Sequence, residues 1–201
     1  MAELDKDLQS IQQARHMVEA AYAAHRIWAT ATQEQVDRVC QAMADAAYQA
    51  SERLGRMASE ETGYGVPEHK KLKNEFASKH VWESIKHIKT VGVVRHDPQT
   101  RVYEIAWPMG VVAALTPSTN PTSTTMNKIL ISVKARNGVV VAPHPAAVNS
   151  CVETARLMAQ AASPSALEFM DARAIELVRT RAGLDLPAAA QALLLIEADG
   201  S

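Results

Sequence analysis

The residues best equipped for chemistry lie between 116 and 123, where Thr-Pro-Ser-Thr-Asn-Pro-Thr-Ser concentrates hydroxyls and a carboxamide between prolines. Such groups can bind and orient a ligand. A carboxamide N–H is the kind of donor that holds a polar ligand. A second cluster is Pro143-His144-Pro145, an imidazole held between two residues of fixed φ. The nucleophiles on offer are Cys40 and Cys151. Cys40 sits beside Val39 and Met43 on a helical pattern and Cys151 on another, settings that suit a buried thiol rather than an activated thiolate. Two cysteines make neither a disulfide scaffold nor, without histidine help, a zinc site, so no metal is expected. Read alone, Asn120 before Pro121 equally suits a turn, and His144 a packed surface histidine.

The elements that would position these groups change character along the chain. From residue 4 to 25, Leu4, Leu8, Ile11, Val18 and Tyr22 fall on one helical stripe. Thr32-Gln-Glu-Gln fits a capping box for a second helix with an apolar face of Val36, Val39, Met43 and Ala47. Helical pattern continues through Leu54 and Met57 to Gly63 and Gly65, and Pro67 opens another helix, with Leu72, Phe76 and Ile88 as its apolar positions, to about 89. Residues 91–107 read as a hairpin turning at Asp97-Pro98. Gly110 to Leu115 is a continuously apolar run, the pattern of a strand covered on both faces. A helix over about 124–136 stops at Asn137-Gly138 with Lys134 and Arg136 in its last turn; a strand at 139–142 and a helix at about 149–162 follow. Strand, helix, strand, helix predicts an α/β class with a parallel sheet. The 116–123 loop then sits where a buried strand opens into a helix N-terminus, at the carboxyl edge of that sheet.

Composition excludes several classes. A formal net charge of -1 supplies no field for nucleic acid or an anionic membrane surface. The basic run Lys70, Lys71 and Lys73 is flanked by Glu68 and Glu75 and reads as a solvated helix face. The N-terminal residues lack the apolar core of a secretion signal, and no stretch reaches the ~18 unbroken apolar residues of a membrane span. A reduced, cytoplasmic setting is the expectation.

The segment 108–147, with TPSTNPTST, the ARNG helix stop and the APHPAA turn, resembles CoA-acylating aldehyde dehydrogenases, the group that includes the acetaldehyde, propionaldehyde and sulfoacetaldehyde enzymes. EETGYG at 60–65, KNEFASKHVWESIK at 73–86 and TVGVV at 90–94 extend that resemblance over residues 1–161. It implies a helical N-terminal region, a β-hairpin at 91–107 and a partial Rossmann-like sheet. It further implies NAD as cofactor, CoA as co-substrate and a short aldehyde as substrate. On these residues it sets Asn120 as the oxyanion-hole amide, Thr116, Pro117 and Ser118 under the nicotinamide, and His144 and Pro145 near the adenosine ribose. The hairpin resembles an arm that packs between subunits, implying a homo-oligomer. The family's reaction needs a cysteine well beyond Cys151, so residues 1–161 read as a truncated cofactor-binding part, inactive for want of that thiol. Residues 163–201, through ALEFMD and ALLLIEADG, resemble instead part of the α+β cap of FAD-linked oxidases of the glycolate oxidase and D-lactate dehydrogenase type, with a strand at 166–170, a helix at 171–181 and a strand at 192–197. The whole then reads as a composite joined near 161–164, and FAD enters only if the tail governs function. A non-catalytic oligomerisation or nucleotide-binding fragment is the other alternative.

Overall fold

A computed structural model describes residues 5–167. Helices α1 (Lys6–Trp28), α2 (Gln33–Gln49), α3 (Ser51–Thr62) and α4 (Pro67–Glu75) come first. A π-helical turn at Phe76–His80 leads into α5 (Val81–Ile85). Strands β1 (Gly92–Asp97) and β2 (Val102–Ala106) form the hairpin, and β3 (Val111–Thr116), α6 (Pro121–Lys134), β4 (Gly138–Pro143) and α7 (Val148–Leu167) follow. The class is α/β, with a helical N-terminal region and small sheets, as the residue pattern implies.

Local chemistry explains most boundaries. Thr32 caps α2 in a full capping box, its hydroxyl accepting from Gln35 N while the Gln35 side chain accepts from Thr32 N. Gly63 ends α3 in the left-handed region. Pro67 and Pro121 open α4 and α6 at the first helical turn, where a missing N–H costs nothing. Asp97 Oδ1 accepts from Gln99 N and Thr100 N, which closes the hairpin turn. The stop after α6 is a Schellman motif, with Asn137 N donating to Ser132 O and Arg136 N to Val133 O. The left-handed residue there is Arg136, not Gly138, which lies in β4.

The core joins the helical layer to one sheet face. Val36, Val39, Met43 and Ala47 of α2 pack with Leu54, Met126, Ile129, Leu130, Val139, Val141 and Met158. The α2 face is the one its periodicity marks. Two other stripes are not. Leu8, Ile11, Val18 and Tyr22 are exposed, and α1 buries Ala20 and Ala21 instead. The reason is close approach: a Cβ at Gly138 would lie 2.6 Å from Ala21 O, so only small residues fit where α1 crosses β4. Leu72, Phe76 and Ile88 are likewise exposed, while Lys70, Asn74, Ala77, Ser78 and Trp82 face inward. Helical structure also ends at Ile85, short of the predicted 89.

The sheet is two parallel strands, β3 and β4, in register from Val111 opposite Gly138 to Thr116 opposite Pro143. Ala114 and Thr116 are buried under the helices, but Leu115 on the other face is 70% exposed. The expectation of a strand covered on both faces is therefore corrected. Among the described residues α2, α6 and α7 cover one face, while on the other α1 reaches only the strand start at Gly138 and leaves Ala113 and Leu115 open, an arrangement that favours association. Asn137 Oδ1 accepts from Met109 N and Gly110 N at 2.7 and 3.0 Å, aligning the two strand starts. At the far side, Glu61 accepts from Asn149 N and Ser150 N and from the Ser150 hydroxyl, so a carboxylate from α3 satisfies the first turn of α7. α7 runs unbroken through 162 to Leu167, so Ala166 and Leu167 are helical rather than the start of a strand. The remaining expectations for the tail, at 168–201, lie outside the described residues.

Candidate functional site

The carboxyl ends of β3 and β4 border a cleft of about 370 Å³ lined by Leu115, Thr116, Pro117, Ala142, Pro143 and His144. This follows from parallel pairing: both strands end on the same side, and His144 N continues the ladder by donating to Thr116 O at 2.8 Å. Three of the predicted residues, Thr116, Pro117 and His144, are thus brought to one place. Ser118 lies just past the cleft in the loop, and Pro145 begins a short 3-10 turn behind it. The Lys128 ammonium, on α6, donates to Leu115 O at the rim.

His144 is exposed and occupied at one nitrogen. Its Nδ1 accepts from Ala146 N at 3.1 Å and caps the 3-10 turn, so the neutral ring carries its proton on Nε2, which faces outward as a donor. It is not a packed histidine. Thr116 is buried, and its hydroxyl donates toward Ala114 O at 3.4 Å.

Asn120 is the N-cap of α6, with φ -140 and ψ 58, and its own carbonyl accepts the first helical bond from Thr124 N. Its side chain does not cap the helix. Oδ1 instead accepts from Lys73 Nζ at 2.8 Å, and Nδ2 makes a long 3.5 Å contact with Thr119 Oγ1. The amide therefore keeps donor capacity at a partly exposed position above the sheet edge.

Sequence reasoning placed the helix that opens at Pro67 but missed the inward polar face of α4. The lysines read as a solvated face behave in three ways. Lys71 pairs with Glu52 and Glu75 in the solvent. Lys73 reaches Asn120. Lys70 is only 4% exposed and donates to Thr119 O at 3.0 Å. Burial, then the neighbouring Lys73 charge, lowers the Lys70 pKa. Next on the same face, Asn74 donates to Ser51 O at 3.0 Å and accepts from the Thr122 hydroxyl at 2.8 Å. The signal was available in the spacing: Lys70, Lys73 and Asn74 fall at i, i+3 and i+4, on one side of a helix.

Neither thiol belongs to this site. Cys40 and Cys151 are buried. Burial pushes the Cys40 thiol up to about 12 against a smaller opposing effect of Lys134, and the Cys151 thiol up to about 11. Both are expected to resist alkylation by iodoacetamide at neutral pH in the folded chain and to react only with denaturant. Rapid native labelling of either, read by intact mass, would contradict this placement.

A parallel β–α–β unit with a polar strand-to-helix loop and a cleft at its carboxyl edge is the architecture of α/β proteins that bind ligands at a sheet edge. Comparison with known proteins narrows that class. The model of the aldehyde dehydrogenase family matches residues 7–170, and the chain belongs to that family. The chain is 42% identical over 146 residues to the bifunctional aldehyde-alcohol dehydrogenase of Escherichia coli, covering 73% of itself and 16% of that protein. Among solved structures, an acetylating aldehyde dehydrogenase from Geobacillus thermoglucosidasius is 50% identical with a TM-score of 0.77, over 81% of this chain and 36% of that one. An engineered glycolyl-CoA reductase with bound NADP+ is 28% identical with a TM-score of 0.60, over 75% and 34% of the two chains. The chain thus spans about a third of the solved relatives and less of the bifunctional ones.

Proposed function

We propose that this chain forms the cofactor-side wall of a CoA-acylating aldehyde oxidoreductase, and that on its own it does not turn over. The supporting observation is the sheet-edge cleft, in which Thr116, Pro117 and His144 meet beside the loop bearing Asn120. The residues suit one end of a dinucleotide: an apolar floor from Leu115 and Ala142 for a planar ring, and an outward His144 Nε2–H for a ribose or phosphate oxygen. Bound NAD or NADP supplies the hydride acceptor for the aldehyde carbon. Thr116, Pro117 and Ser118 support the nicotinamide end, and His144 and Pro145 the adenosine end. Asn120 Nδ2 donates to the carbonyl oxygen as it gains negative charge, a contribution of about 3–4 kcal/mol in comparable sites. The thiolate that adds to the carbonyl, and from which CoA later takes the acyl group, must come from residues other than Cys40 and Cys151.

Two measurements on the purified chain test this. NADH fluorescence should rise on titration and the rise should be lost in Ala142→Trp, which fills the cleft from its floor; no binding at all would sink the cofactor assignment. Incubation with NADH and acetyl-CoA should leave absorbance at the NADH band unchanged, and sustained consumption would overturn the claim of inactivity.

A second reading, a non-catalytic subunit-docking fragment, is favoured by one observation. Val102, Tyr103 and Ile105 of β2 and Trp107 just beyond it are exposed, Trp107 by 83%. Tyr103 stacks on His96 with ring centroids 4.1 Å apart, giving the hairpin a firm aromatic surface. Co-purification with an intact acylating aldehyde dehydrogenase would support this role.

A further inference from the structure

An oxyanion donor must present N–H, yet the two ends of an asparagine amide have nearly the same shape, and sterics alone do not choose between them. At Asn120 the choice is made by charge. Lys73 Nζ lies 2.8 Å from Oδ1. An ammonium has donors and no acceptor, so only the amide oxygen can face it, and Nδ2 is turned the other way. We propose that Lys73 is a positioning residue that locks the Asn120 amide with its N–H groups free for an incoming carbonyl oxygen. The assignment rests on the oxyanion reading of Asn120 given above.

Three further contacts support it. Lys70, one turn earlier, holds the preceding carbonyl at Thr119 from a buried position. Asn74, one residue later, ties Thr122 in the first turn of α6. The backbone before Asn120 and the Thr122 side chain after it are therefore fixed to the same face of α4, and the amide has a firm base on which a single bond decides its orientation. Thr119 Oγ1 contacts Nδ2 only at 3.5 Å, which leaves the amide N–H available. An ammonium on the oxygen also withdraws charge from the amide, which makes its N–H a stronger donor. Lys73 itself is exposed, so its replacement spares the core.

The test uses the full 201-residue chain labelled with nitrogen-15, with the Asn120 side-chain NH2 pair assigned by its loss in Asn120→Ala. In Lys73→Met that pair should shift to the positions of a freely rotating asparagine, while backbone signals away from the loop stay in place. Lys73→Arg, which retains a charged donor, should keep the wild-type shifts. An unchanged pair in Lys73→Met would overturn the proposal. So would loss of the wild-type shifts in both variants, because side-chain shape rather than a cationic donor would then set the amide. NADH added to the same samples separates the two ideas: silent backbone amides at Thr116 and Ser118 refute the cofactor site, whereas the Lys73 variants report the amide orientation regardless.

Discussion

Asp37→Ala is expected to destabilise the fold by about 2–4 kcal/mol, because it strands a buried cation. Lys134 ends α6 with its side chain 4% exposed, and its ammonium donates to the Asp37 carboxylate on α2. What would remain is one carbonyl, Lys86 O at 3.3 Å, and the Trp82 ring, whose centroid is 5.5 Å away. Neither replaces a full counter-charge. Asp37 is about a third exposed, so some water would enter, and the expectation sits below the full cost of breaking a sealed pair. The double variant Asp37→Ala with Lys134→Met should recover most of the loss, since an unbranched apolar chain fills the same channel without an unpaired charge. Urea unfolding of the three variants checks both statements. A single-variant cost under about 0.5 kcal/mol would place the pair among solvated surface bridges.

Gly55→Ala should cost about 1–3 kcal/mol and disturb the site as well. A Cβ at Gly55 would stand 2.8 Å from Lys71 N and 3.2 Å from Pro67 O, all backbone, which cannot swing aside as a side chain would. Gly55 has an ordinary negative φ, so conformational freedom is not the issue; room is. The strain is relieved by moving α4 off α3, and α4 carries Lys70, Lys73 and Asn74. A lower urea midpoint together with shifted Thr119 and Asn120 amide signals is the expected pair of results. A variant as stable as the parent with an unchanged loop would show that α4 has slack.

What the sequence disclosed followed from how directly each signal maps to structure. The capping box at Thr32, the apolar face of α2, the hairpin turn at Asp97 and the parallel β3–α6–β4 unit were all legible, because each is local or strongly periodic. The stripe Leu8, Ile11, Val18 and Tyr22 misled because burial of α1 depends on a backbone approach at Gly138, distant in the chain and invisible to a helical wheel. Leu72 and Phe76 misled for a related reason. Hydrophobicity marked one side of α4, but the inward side carries Lys70 and Asn74, polar groups whose partners are Thr119 and Ser51 backbone and the Thr122 hydroxyl. At the candidate site, Thr116, Pro117 and His144 could be grouped from strand ends alone. The contact between Lys73 and Asn120 could not, since 47 residues separate them and nothing in either segment names the other.

Arg136 carries one more implication. Its guanidinium donates to Ala29 O after α1 and to Ala106 O at the end of β2, while His25 Nδ1 lies 3.0 Å from its carbonyl. The root of the hairpin is thus moored to the body through a side chain in an unfavourable left-handed backbone state, with φ 59. A six-residue strand at ~3.3 Å per residue is a lever about 20 Å long, so a swing of roughly 10° at the mooring displaces the tip by about 3 Å. That displacement equals the length of a hydrogen bond. The angular precision with which the arm can meet any other surface is therefore set at its base, by a buried cation.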